Sequence, residues 1–316
     1  MKKVIIGLDT SNYTTSAAVL TLDGELIANL KSPLPVKAGE CGLRQSDAVF
    51  HHVKNMPDLM KAMRSHLSEC APVAIGVSSR PRNVEGSYMP CFLTGLSVAE
   101  GISASLGIPL FKFSHQCGHV MAAVYSSGKI ALLEKDFCAF HVSGGTTELL
   151  RVRFDKNGFE TELVGATADL NAGQVIDRVG VYLGLPFPAG KYIEELAKDN
   201  DKKIPKRKPK LSDMKLNLSG LENMAIKLYE ETLDKALVAA FVLDYVEQGI
   251  SLLCESYQQT YGKLPFVFAG GVMSNAIIKE KLKTKFDAYF AEPALSADNA
   301  VGIAELARRL YIEENL

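Results

Sequence analysis

Two histidines stand four residues apart in the stretch Phe113-Ser114-His115-Gln116-Cys117-Gly118-His119, directly after the apolar run Pro109-Leu110-Phe111. On a helix starting near Ser114, His115 and His119 project from one face of its first turns, a spacing that suits a shared metal ion. Two histidines on one side of an ordinary surface helix have the same spacing, so the pair alone does not choose. Further chemistry-bearing residues sit in small polar turns after apolar runs. Residues 4–8 (Val-Ile-Ile-Gly-Leu) lead into Asp9-Thr10-Ser11-Asn12, and residues 137–142 lead into Ser143-Gly144-Gly145-Thr146-Thr147. Backbone N–H groups in such turns cradle anions, and an acid beside them, here Asp9, can hold a phosphate-bound metal ion. A third turn, Gly270-Gly271-Val272-Met273-Ser274-Asn275, joins an apolar run to a helix. Gly270 and Gly271 allow close approach of a nucleotide and Asn275 is available to hydrogen-bond it, although no Gly-Lys-Ser/Thr follows to make a Walker loop.

The elements that must position these residues repeat. Residues 14–21 read as a second strand, turning at Asp23-Gly24 into a third over 25–32. The order strand, polar turn, strand, hairpin, strand recurs over 137–142, 143–147, 148–154 and, after Asn157-Gly158, 159–165. We read this as a structural duplication in an α/β protein with two lobes, 1–132 and 133–316. A helical insertion occupies about 186–262, and a closing helix at about 297–314 is able to pack back on the first lobe. Between the copies, 46–67 reads as a mostly helical stretch kinked or broken at Pro57, 73–77 as a strand, 91–106 as a helix and 109–113 as a strand. In the second half, 172–184 and 192–197 read as helices, 218–261 as a helical region, and Ser296 as the N-cap of the closing helix. Asp298 then falls in that helix's first turn, where an acid ordinarily complements the dipole.

Composition narrows the classes. A chain of 316 residues, 47% hydrophobic and 22% charged, can bury a large core. Its net charge of -1 excludes overall attraction to nucleic acid, so RNA contact needs a local patch. Lys202, Lys203, Lys206, Arg207, Lys208 and Lys210, held extended by two prolines, supply one; a solubilising loop has the same composition. The N-terminal apolar run is too short for a signal peptide, no segment reads as membrane-spanning, and the six cysteines, Cys41 among them, show no framework spacing. A cytoplasmic protein without a membrane partner is expected.

Two copies of the strand-turn-strand opening resemble the actin/Hsp70/sugar-kinase architecture, in which two such turns face a cleft. Seven motifs together resemble the TsaD family of tRNA threonylcarbamoyl-transferases, formerly called O-sialoglycoprotein endopeptidases. They are Gly7-Leu8-Asp9-Thr10-Ser11, residues 114–119, residues 142–149, Asp177-Arg178 with Leu183-Gly184-Leu185-Pro186, Leu218-Ser219-Gly220-Leu221, Ala269-Gly270-Gly271-Val272 with Asn275, and Asp298-Asn299-Ala300. The resemblance implies a divalent metal, iron or zinc, held by His115, His119 and Asp298, with Asp298 arriving from the far lobe. It implies substrate contacts at the 143–147 turn, Asp177, Gly190, Glu194 and Asn275. It further implies an adenine nucleotide as substrate or ligand, with magnesium as a companion ion, and a tRNA partner, a TsaB-like paralogue and an ATPase as partners. The implied reaction moves threonylcarbamoyl from its AMP anhydride to the exocyclic amine of the adenosine beside the anticodon. No residue is assigned as a covalent nucleophile.

This chain departs from the family pattern at Tyr13, at Thr146, at Arg80-Pro81-Arg82-Asn83-Val84-Glu85-Gly86 and at Arg44-Gln45-Ser46. Two alternatives follow: a divergent paralogue binding nucleotide and metal but acting on another acceptor, and a non-catalytic scaffold partner. The scaffold relatives lack the histidine pair. A kinase on the same architecture would need an aspartate in a sugar-facing loop, and no such residue stands out. Peptide hydrolysis is discounted, because zinc peptidases carry a glutamate after the first histidine and Gln116 cannot act as that base.

Overall fold

Continuous Val/Ile/Leu runs suit strands covered on both faces. In the computed structural model, which describes residues 1–11, 13–35, 43–155 and 158–315, they occupy the centres of two sheets. The expected turn residues Asn12 and Asn157, and Cys41, lie outside the described residues. The chain forms two units: Met1–Gly128 with Phe154–Glu160 and Ala297–Leu316, and Lys129–Arg153 with Thr161–Ser296. The first contains β1 (Lys2–Ser11), β2 (Thr14–Thr21), β3 (Leu26–Pro33), α1 (Gln45–His66), β4 (Cys70–Arg80), α2 (Phe92–Leu106), β5 (Leu110–Ser114) and α3 (His115–Ser126). Then come β6 (Phe137–Val142), β7 (Thr147–Asp155), β8 (Gly158–Thr167), α4 (Ala172–Tyr182), α5 (Gly190–Lys198), β9 (Lys210–Ser212), β10 (Lys215–Asn217), α6 (Ser219–Thr232) and α7 (Lys235–Tyr261). The chain closes with β11 (Phe266–Ala269), α8 (Ala276–Lys285), β12 (Ala288–Phe290), α9 (Pro293–Ser296) and α10 (Val301–Asn315).

The duplication is visible in strand order. The first sheet runs β3-β2-β1-β4-β5, and the second runs β12-β11-β6-β7-β8-β10-β9. Read from its other end, the second sheet contains β8-β7-β6-β11-β12, the same succession, with the short pair β9 and β10 added at its edge. In each, the first strand pairs antiparallel with its successor and parallel with a later strand on its other side.

In the first unit, α1 and α2 cover one sheet face, where Met56, Leu59, Met63 and Ala99 pack on Ile6, Leu8, Val19 and Val77. Of the two expectations at Pro57, a kink or a break, the break does not occur: α1 runs through it, with packed residues on both sides of the proline. The opposite face takes α10. A Cβ on Gly7 would lie 2.5 Å from the Ala300 carbonyl oxygen and one on Gly76 2.7 Å from that of Ile303, so glycines in β1 and β4 let the helix lie against the strands. The closing helix packs back on the first unit, as the sequence reading allowed, and counts with it. It also starts later than expected. Ser296 ends α9, its hydroxyl donating to the Glu292 carbonyl, while Asn299 accepts from Val301 N–H at the start of α10. Asp298 lies in the connection before α10 instead of in its first turn.

The second unit's core gathers Phe140, Val142, Val175, Ile193, Val238, Leu253, Phe266 and Phe268 around α7. That helix is long and apolar enough to span a bilayer, but most of it is buried against this core. The helical region over 218–261 is interrupted at Leu233, which has a left-handed φ of 53°, and Asp234 restarts it by accepting from Leu237 N–H.

Candidate metal centre

Strand β5 ends at Ser114, whose side chain caps α3 by accepting from Cys117 N–H at 3.2 Å. The cap fixes where the helix starts and therefore which face carries His115 and His119. The two rings lie 4.3 Å apart with an interplanar angle of 73°, and their Nε2 atoms are 2.9 Å apart. Asp298 Oδ1 lies 3.4 Å from Nε2 of His119 and 3.7 Å from Nε2 of His115. A circle through points with these three separations has a radius of about 2 Å, the length of a zinc–nitrogen or zinc–oxygen bond. The donor set thus fits a divalent transition ion on its own geometry, and two imidazoles with one carboxylate leave positions open to a substrate. All three donors belong to the first unit. Asp298 does not arrive from the far lobe; α10 packs so tightly on α3 that a Cβ on Gly302 would fall on the Gly118 carbonyl oxygen, and this brings residue 298 beside the histidines.

Asp9 stands behind the centre. Its carboxylate is fully buried and accepts from His115 Nδ1 at 2.9 Å and from the Ser78 hydroxyl, with the Ser11 N–H at 3.4 Å. Its hydrogen bond directs His115 Nε2 outward toward the other donors, the arrangement by which carboxylates orient metal-binding histidines. The oxygens of Asp9, expected to hold a phosphate-bound ion, are here bonded to His115, Ser78 and Ser11 and shielded from solvent. Burial raises the Asp9 carboxyl, but the charge and hydrogen bond of His115 outweigh it and leave it below its ordinary value. Burial likewise opposes the charged form of His115, yet Asp9 and Asp298 raise it to about 9.

The other expected site residues lie in the second unit. Ser143 Oγ accepts from Gly145 N–H at 3.3 Å and Thr146 N–H at 3.1 Å, so two donors of the expected anion cradle are bonded within the turn. Gly144 abuts Gly173, and Thr147 Oγ1 accepts from Ala172 N–H, which docks the turn on the start of α4. Gly270, at φ 98°, lies against the Val142 carbonyl, where a side chain would not fit, and thereby joins the 270–275 turn to the end of β6 beside Gly271. Asn275 caps α8, its Oδ1 accepting from Ile278 N–H at 3.1 Å. Asp177 Oδ1 accepts from Ala189 N–H at 2.7 Å just before Gly190, and burial raises its carboxyl above the ordinary value. Glu194 pairs with Lys198 at 2.8 Å. Lys202 pairs with Asp234 at 2.6 Å, whereas Lys203, Lys206, Arg207, Lys208 and Lys210 are exposed and make no ion pair among the described residues.

Sequence reading missed Ser78, whose hydroxyl reaches Asp9, and Gly302, whose missing side chain admits α10. Ser78 sits in a polar stretch after an apolar run, as Asp9 does, and that was the available signal. Gly302 carries none without a partner helix to test it against.

Duplicated strand orders define a member of the actin/Hsp70/sugar-kinase fold, and its two-histidine, one-carboxylate group is a candidate metal site. Solved structures support the fold alone: HypF from T. kodakarensis (TM-score 0.61, 12% identity, 99% of this chain and 48% of that one) and a ROK hexokinase from Thermus thermophilus (TM-score 0.54, 12% identity, 99% and 100%). The sequence matches the family profile described as TsaD, tRNA N6-adenosine threonylcarbamoyltransferase, over residues 39–305, and the chain belongs to this transferase family. Relatives named tRNA N6-adenosine threonylcarbamoyltransferase include one from Streptococcus suis (strain 05ZYH33), 30% identical over 99% of this chain and 94% of its own length. Another, from Thermotoga neapolitana, is 29% identical over 95% and 92%.

Proposed function

We propose that this protein transfers a threonylcarbamoyl group from threonylcarbamoyl-AMP to the exocyclic amine of the adenosine beside the anticodon in tRNA. The observation that carries the reading is the His115, His119, Asp298 group within a chain of this family. The donor carbonyl is already activated by its acyl-phosphate bond, so the protein's task is to orient two substrates and to stabilise developing negative charge. A divalent ion, iron or zinc, held by these three residues supplies Lewis-acid polarisation. His115 and His119 present Nε2, Asp298 presents a carboxylate oxygen, and Asp9 keeps the His115 proton on Nδ1. In the second unit, the turns at 143–147 and 270–275 are the candidates for the adenine nucleotide, with magnesium as its companion ion. Asp177 holds the start of α5 through Ala189, so its part in binding is to shape the approach to Gly190. The exposed cations at 203–210 are the candidates for tRNA phosphates, and a TsaB-like paralogue and an ATPase are the proposed protein partners.

The test is His119→Ala in purified protein, with metal content by elemental analysis and threonylcarbamoyladenosine formation on tRNA by mass spectrometry. Both are expected to be lost while the fold is kept. A variant that retains its metal would remove the assignment. A metal-loaded wild type that modifies no tRNA, even with its partner proteins, would favour the divergent-acceptor reading, which the changes at Tyr13 and Thr146 motivate.

A further inference from the structure

The register of the first sheet places a lysine on the metal face. Asp9 of β1 pairs with Ser16 of β2, and Ser16 pairs with Lys31 of β3. Directly paired residues point to the same side of a sheet, so Asp9, Ser16 and Lys31 form one row. That side is the one α10 covers, because Gly7, two residues before Asp9, meets Ala300 and Ala304, whereas Leu8 faces α1 and α2. Strands β1 and β3 run in the same direction, being both antiparallel to β2, and Asp9 and Lys31 each stand third from the carboxyl end. Ligands of open α/β sheets bind beyond the carboxyl ends of the strands. Two strand spacings separate the Asp9 and Lys31 backbones by about 10 Å, and the lysine's four-carbon stem extends from there.

The charges give this lysine a task. With a divalent ion bound and both imidazoles neutral, the carboxylates of Asp9 and Asp298 cancel the ion's charge, and an anionic substrate gains net attraction only from a further cation. Arg80, at the end of β4, keeps its charge while its guanidinium is held by neutral groups, Ser79 and Asn83, and Asn83 in turn by Cys117 and the Phe159 carbonyl, so it acts from the β4 side of the sheet whereas Lys31 stands on β3. Lys31 is half-buried and lies in the field of Asp298; burial lowers its pKa and Asp298 opposes that fall.

We infer that Lys31 is an anion-binding residue of the metal centre, its ammonium taking an oxyanion, phosphate or carboxylate, of the substrate held at His115, His119 and Asp298. This rests on the proposed reaction for the identity of the substrate but not for the presence of the oxyanion site. The test compares wild type, Lys31→Met and Lys31→Arg, all metal-loaded, by calorimetric titration with AMP as the phosphate probe and N-carbamoylthreonine as the carboxylate probe. Lys31→Met keeps the stem and removes the charge. It is expected to weaken one probe at least tenfold with metal content unchanged, and the probe that weakens names the oxyanion. Lys31→Arg is expected to stay within a few-fold of wild type, and the salt dependence of the affected probe is expected to flatten in Lys31→Met alone. Unchanged affinity for both probes in Lys31→Met would overturn the inference and leave Lys31 as an edge-strand charge that discourages sheet pairing. A wild type that binds neither probe would overturn it too. A wild type that binds a probe through Lys31 yet modifies no tRNA would support the inference while refuting the proposed acceptor.

Discussion

Asp9→Asn separates the charge behind the metal centre from its shape. The carboxylate faces three donors: His115 Nδ1 and the Ser78 hydroxyl on Oδ1, and Ser11 N–H on Oδ2. An asparagine that keeps its oxygen at the Oδ1 position still accepts from His115 and Ser78, and its amide NH2 faces the Ser11 N–H, so only the longest of the three bonds, at 3.4 Å, is given up. Ring orientation therefore survives and the negative charge is lost. Outer-shell changes of this kind cost 10–100-fold in metal affinity, or about 1.4–2.7 kcal/mol. Asp9→Ala additionally leaves a buried imidazole N–H unpaired, a further ~1–3 kcal/mol. Competition titration against a chelator of known affinity measures both, with circular dichroism to verify folding. The metal-free protein supplies a second readout. His115 is raised from its ordinary 6.5 to about 9 in the fold, so its contribution to stability is fully present below pH 6.5 and is lost as pH rises through about 9. Wild-type melting temperature is expected to fall across that window, and Asp9→Asn to flatten the fall. Equal metal affinity in wild type and Asp9→Asn would refute the claim that Asp9 acts on the metal through His115.

Gly302→Ala forces α10 away from the Gly118 carbonyl and carries Asp298 with it; a loss of at least about 1–3 kcal/mol in stability is expected from overpacking, together with weakened metal binding, read by thermal melting and elemental analysis. Replacing Lys206, Arg207 and Lys208 by glutamate is expected to weaken tRNA binding at low salt. If all three touch phosphates, the log–log salt dependence should become shallower by roughly 2–3. An unchanged slope in filter-binding assays would mean that these exposed cations serve solubility only.

Much of the fold was legible because it is written locally. Apolar runs ending in small polar turns marked β1 and β6, and their repetition disclosed the duplication that the matching strand orders display. Pro57 does not end its helix because packing on both sides of it outweighs the lost hydrogen bond, and Ser296 misled because its hydroxyl bonds back to Glu292. By itself the sequence determined that His115 and His119 share a helix face, since Ser114 caps that helix and the spacing of four is a property of the helix. Whether the pair gains a third donor depended on Asp298, 179 positions further along the chain than His119 and brought near by a glycine-to-backbone contact that no local pattern encodes. Likewise, Asp9 became the partner of His115, and Lys31 a residue of the same face, only through strand pairing. Spacing along one helix is set by covalent geometry, whereas convergence of residues from separate elements is set by which surfaces pack, and only the tertiary structure decided that.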